Sequence, residues 1–149
     1  MSIPNFSNLY QAIRSALYNV ANILYGDLSA SDNAFIFVVP YDMPQGVKGV
    51  TIDDVIIVTE TTITAHDANF WSFQIADLTN STNLLAAAKT TKATGGTAIT
   101  GDTAYRITPD QNNTTLGAGT VIEFQATKAS SATTAEALAV IVRWHWEVI

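Results

Sequence analysis

Residues 137–149 read ALAVIVRWHWEVI. Alternation puts Leu138, Val140, Val142, Trp144, Trp146 and Val148 on one side of an extended chain and Ile141, Arg143, His145 and Glu147 on the other. A helix would scatter the six apolar side chains around its circumference, so the segment predicts a strand with one face on a core and His145 facing outward between two tryptophans. Its length predicts a place inside a sheet, because a long edge strand would expose a row of unpaired amides.

The same period recurs upstream. In residues 120–128 (TVIEFQATK), Ile122, Phe124 and Ala126 oppose Val121, Glu123, Gln125 and Thr127. Residues 33–39 (NAFIFVV) end at Pro40, residues 49–59 (GVTIDDVIIVT) follow a turn-rich stretch, and residues 69–75 (NFWSFQI) set Trp71, Phe73 and Ile75 on one face. A weaker strand over 84–92 follows a turn at 77–83, and residues 105–108 (YRIT) close at Pro109. Short strands separated by Gly, Asn and Pro, with no helical stretch between them, predict an all-β fold: an antiparallel β-sandwich, jelly-roll-like, of seven or eight strands.

The first residues read differently. Phe6, Tyr10, Ile13, Leu17, Val20 and Leu24 follow a 4-3-4-3-4 spacing that lines one stripe of a helix, with Asn5 or Ser7 to cap its start and Gly26 to end it. Arg14 is the single charge before Asp27, so this helix is too apolar to be bathed in solvent on all sides. The chain thus divides into an N-terminal α-helix or arm at 1–31, suited to assembly contacts, and a β-sandwich domain at 32–149. The stripe suits packing in cis on its own sandwich, in trans on other copies, or in a groove on a partner.

The whole chain has 149 residues, a net charge of -6, 48% hydrophobic and only 13% charged residues, and no Cys. One domain of this size buries enough surface to fold without staples. The acidic balance and the absence of a basic stripe argue against a nucleic-acid partner. The N-terminus lacks the positive flank of a secretory signal, and polar residues interrupt the apolar stretch 9–25, so no membrane span is expected.

Candidate chemistry is sparse. His66-Asp67 falls in an inter-strand loop, and no spacing joins it to His145. Asp53-Asp54 lies within a β-branched strand, where adjacent side chains face opposite sides unless a bulge re-aims one of them. Residues 110–113 (DQNN) are oxygen-rich but lack the spacing of a calcium loop, and residues 94–97 (TGGT) lack the Lys and helix of a phosphate loop; both read as turns. Trp71, Trp144 and Trp146 fall on apolar faces and read as core rather than as a sugar platform. No nucleophile-base pair is legible, so the expectation is a protein that is not an enzyme and needs no cofactor or metal.

From Asn33 onward the chain resembles a family of small β-sandwich proteins of tailed bacteriophages, the capsid decoration or cement proteins. The resemblance lies in residues 34–44 (AFIFVVPYDMP), 56–58 (IIV), 67–73 (DANFWSF), 88–97 (AKTTKATGGT) and 119–124 (GTVIEF). It implies a virion protein on the capsid exterior that sits as a homotrimer on an icosahedral head, clamps neighbouring capsomers and has the major capsid protein as partner. Phe6, Tyr10, Ile13, Leu17, Val20 and Leu24 are then the expected oligomer or capsid interface. The alternative is a head-fibre, tail or baseplate protein that binds a host glycan.

Overall fold

The computed structural model describes residues 18–24, 26–112 and 115–148. Among these residues, ten strands run in the order β1 (Tyr18–Leu24), β2 (Asp32–Val38), β3 (Val47–Val58), β4 (Trp71–Asp77), β5 (Thr82–Asn83), β6 (Lys89–Thr90), β7 (Tyr105–Ile107), β8 (Thr115–Leu116), β9 (Val121–Lys128) and β10 (Ala139–Val148). They form two antiparallel sheets, one ordered β1-β10-β3-β7 with β8 also on β3, the other β2-β9-β4-β5 with β6 also on β4. Early strands pair with late ones, so the two halves of the chain fold onto each other as a β-sandwich.

β10 lies between β1 and β3, as its length predicts. It presents Val140 and Val142 inward, against Val50, Ile52, Val55 and Ile57 of β3, all essentially without solvent exposure. The facing sheet contributes Trp71, Phe73 and Ile75 from β4 and Ile122, Phe124 and Ala126 from β9. Phe73 is stacked between Trp71 and Phe124 at centroid distances of 5.8 and 5.9 Å. The buried indole of Trp71 donates its Nε1–H to the Thr133 carbonyl at 2.7 Å, so its one polar group is satisfied. Trp144 and Trp146 are half-buried against the same core.

In β3 the inward residues change parity, from 50 and 52 to 55 and 57. The register explains it: Arg143 pairs with Asp54 and Trp144 with Ile52, which leaves Asp53 as the extra residue of a β-bulge. The bulge lets both halves of the strand face the core and turns Asp53 and Asp54 to the same outer side. Adjacent acidic residues in a regular strand would have put one carboxylate inside.

The N-terminal helix is corrected over its last two turns: Tyr18–Leu24 is a strand, paired from Tyr18↔His145 to Leu24↔Ala139. Val20 and Leu24 therefore lie on a sheet edge, whereas Phe6, Tyr10, Ile13 and Leu17 fall outside the described residues. Two physical reasons favour the strand. Residues 18–23 (YNVANI) include Asn, Tyr, Val and Ile, weak helix formers, and the open side of β10 supplies amides that a seventh-period stripe cannot sense. The predicted strand over 84–92 shrinks to Lys89–Thr90, with Leu84 and Leu85 buried beside it, and the pair Thr115–Leu116 was not legible at all.

Two outcomes follow from this packing. Phe73→Ala removes the middle ring of the stack and should cost about 3–5 kcal/mol in urea unfolding. Deleting Asp53 should abolish the cooperative transition, because one half of β3 must then turn its Val and Ile outward.

Candidate functional site

The outer face of the β1-β10-β3-β7 sheet is ionic. Asp54, buried despite its charge, accepts a hydrogen bond from Arg106 Nε at 2.6 Å and lies 3.7 Å from Arg143 Nη2. Asp53 meets the buried His145, whose Nδ1 sits 2.9 Å from both carboxylate oxygens. A carboxylate only accepts, so Nδ1 carries the proton in this contact. Nε2 of the same ring is 3.4 Å from Glu147, which also accepts from the Thr51 hydroxyl at 3.0 Å and lies 3.6 Å from Lys48. Thr51, Asp53, His145 and Glu147 line an open depression closed on one side by Thr108, Pro109 and Gln111.

The charges on this face thus satisfy one another. The Asp54 hydrogen bond and charge raise the Arg106 guanidinium further above its ordinary value. At Glu147 burial pushes the carboxyl upward, but the Thr51 hydroxyl, Lys48 and His145 together outweigh it and hold the group below its ordinary value. Both ring nitrogens of His145 face carboxylates, so the imidazole bridges Asp53 and Glu147 on this face. Among the described residues no group of three or more His, Cys, Asp or Glu is arranged to hold a metal ion.

The outer face of the other sheet is built of different material. Phe35 is 69% exposed, Val38 49%, Tyr41 79% and Leu78 38%. A bulge at Ile36 allows both Ile36 and Phe37 to pack on the core while Phe35 and Val38 face out. Val38 pairs with Val121, and Leu78 donates its N–H to the Val121 carbonyl, so the three make an apolar row across β2, β9 and the end of β4. Tyr41 lies against Gly119, where φ is +76° and a Cβ would stand 2.6 Å from the ring. On β9 and β4 the neighbouring outward residues are Glu123, Gln125, Gln74 and Ala76, and Glu123 accepts from Gln125 Nε2 at 2.9 Å.

Of the residues singled out from the sequence, Val20 is 57% exposed on β1 and Leu24 ends that strand. His66 is not brought to His145: its Nδ1 accepts from the amides of Ala68 and Asn69, closing its own loop. Asp67 accepts from the Thr94 amide at 2.7 Å, and the Thr94 hydrogen bonds hold its carboxyl below the ordinary value. Asp110 accepts from the Asn112 amide, a polar turn as read. His145 does lie on the outer face, but buried rather than exposed. The cluster of Asp53, His145 and Glu147 was missed because its closure depends on the bulge, although the alternation of β10 had already put His145 and Glu147 on one side.

Glu147 gives a pH signature with a defined sign. Its carboxyl is depressed in the folded state, so it stabilises the fold above the ordinary carboxylate value of 4.5, and that contribution is lost as pH falls through the folded value. Glu147→Gln should lower stability at pH 7 by up to about 1 kcal/mol, and the difference from the parent should shrink in denaturation curves as pH falls beneath the ordinary carboxylate range.

No protein-family model matches the chain, and no curated protein matches it. Among solved structures, a similar chain occurs in the structure of the infectious bursal disease virus Gx strain, with 10% sequence identity and a TM-score of 0.35. The alignment covers 89% of this chain and 37% of that one, so the present chain spans little more than a third of that neighbour's length.

Proposed function

We propose that this chain is a structural protein of a virion, a decoration or cement protein on the outside of a tailed-phage head, acting as a homotrimer with the major capsid protein as partner. The observation that carries the reading is the division of the surface. One sheet pairs its charges with each other across its strands, while the opposite sheet exposes Phe35, Val38 and Leu78, with Tyr41 just past the end of β2. A contiguous exposed apolar row of this kind marks a protein contact. Neutral hydroxyls and amides around it lower the cost of apposition, because they are cheaper to bury than charges.

The strand order adds support. β1-β10-β3-β7 facing β2-β9-β4-β5 is the nested order of a jelly roll, an architecture used repeatedly for shell-forming proteins. The N-terminal stripe Phe6, Tyr10, Ile13 and Leu17 supplies contacts between copies in this reading. Val20 and Leu24 continue the chain as the edge strand β1, so the arm ends where β1 begins.

Imaging of the assembled particle tests the role: density for the sandwich on the head exterior is expected, and density confined to the tail or fibres overturns it. Light scattering of the full chain should give three copies. The double variant Ile13→Asp, Leu17→Asp should give single copies and weaken head occupancy by about 100-fold or more, through lost avidity.

A further inference from the structure

Between β3 and β4 the chain makes a tight turn whose shape is set by one imidazole. His66 Nδ1 accepts from the amides of Ala68 and Asn69, both at 3.0 Å. The pattern is that of a helix N-cap or an Asx turn, in which a side-chain acceptor takes the amides two and three residues on. Asp, Asn, Ser and Thr oxygens are the usual acceptors there, and an imidazole nitrogen can replace them only while it carries no proton. The ring proton of His66 therefore sits on Nε2, the opposite tautomer to that of His145.

Other loops depend on this turn. It presents Asp67 to the loop after β6, where the Thr94 amide donates to the carboxylate at 2.7 Å. The His66 amide donates to the Thr91 carbonyl at 3.1 Å, and Asn69 Oδ1 accepts from the Ser131 amide at 3.2 Å. Three loops thus meet on one short turn, at the end of the sandwich where β4 begins. Trp71 is held separately: its amide donates to the Thr91 hydroxyl at 2.8 Å, and its carbonyl accepts from the Thr91 amide at 2.9 Å.

We infer that this turn is a proton-operated clasp, closed while His66 Nδ1 is an acceptor and opened when that nitrogen takes up a proton. Protonation makes Nδ1 a donor facing two other donors, so both hydrogen bonds are lost together and Asp67 loosens from the facing loop. The charged groups at the junction are Asp67 on the same turn and Lys92 on the facing loop. The Thr94 hydrogen bonds hold the Asp67 carboxyl below its ordinary value, so it stays ionised in mild acid. Of these side-chain types only an imidazole ordinarily changes charge between about pH 5 and 8, so the clasp answers to that range. The bonds between Trp71 and Thr91 contain no titrating group, and the core stays closed while the loops part. His145 pairs with Thr51, near the other end of β3, and takes no part in this junction.

An NMR titration of the full chain tests the clasp. At about pH 8 the ring of His66 should carry its proton on Nε2, and from there to about pH 5 the Ala68, Asn69 and Thr94 amide protons should move upfield in step with the ring. His66→Asn supplies an oxygen that accepts from the same two amides and does not titrate, so in this variant the three resonances should stay in place. Hydrogen-exchange protection of Ala68 and Asn69 at about pH 5 should then be about 10-fold higher in His66→Asn than in the parent, the worth of about one hydrogen bond. A proton on Nδ1 at the start, or amides that stand still while the ring titrates, overturns the clasp. Equal movement in His66→Asn overturns the assignment to His66, and a still Thr94 beside moving Ala68 and Asn69 overturns the release of the facing loop.

Discussion

The antiparallel pairing of β10 with β3, from Ala139↔Val58 to Val148↔Val47, is the constraint on which the rest of the molecule depends. It is the longest ladder among the described residues, and of its two register shifts, at Lys48 and at Asp53, the one at Asp53 is a bulge inside the core-facing stretch. That bulge reconciles two demands that a regular strand cannot meet. Val50 and Ile52 on one side of it and Val55 and Ile57 on the other all reach the core. Asp53 and Asp54 both leave the core, and each finds a cation or ring nitrogen on the same outer face. The packing of the interior and the ionic order of the exterior are thus set by the same irregularity.

How much of this the sequence shows depends on whether a signal is local. β9 and β10 declare themselves by strict alternation, and β2, β3 and β4 by β-branched and aromatic runs, because burial on one face writes itself into residues two apart. The bulge leaves no such mark: the Asp53-Asp54 doublet hints at an interruption, but only the partner strand shows which residue is extra. β1 misleads for a related reason. Residues 17, 20 and 24 satisfy a helical stripe, yet Asn19, Ala21 and Ile23 equally satisfy an alternation, and the choice is made by the free edge of β10, far along the chain. The short pairs β5, β6 and β8 follow from docking of loops onto finished strands, and two residues are too few to carry a period.

The same logic governs the candidate sites. His145 and Glu147 share a face by alternation alone, so half of the ionic cluster is legible, but the place of Thr108, Pro109 and Gln111 beside them comes from a distant part of the chain. The exposed row on the other sheet was partly visible as well: the run from Phe35 to Tyr41 is more apolar than one buried face requires. Which of its residues surface is decided by the bulge at Ile36, which sends two consecutive residues inward and leaves Phe35 and Val38 outside.

The scarcity of charge takes its meaning from where the charges lie. With 13 acidic and 7 basic residues spread evenly, every face would carry a desolvation penalty against any partner. Here Lys48, Asp53, Asp54, Arg106, Arg143, His145 and Glu147 are gathered on one sheet, where they bind each other and keep that face in water. The opposite sheet carries Asp32, Asp77, Lys89, Glu123 and Lys128 on its strands, and its large exposed apolar side chains gather at the β2 end. The two outer faces therefore meet water differently: on one, ions are tied to each other across the strands, and on the other, Phe35 and Val38 stand exposed because the bulge at Ile36 sends two consecutive residues inward.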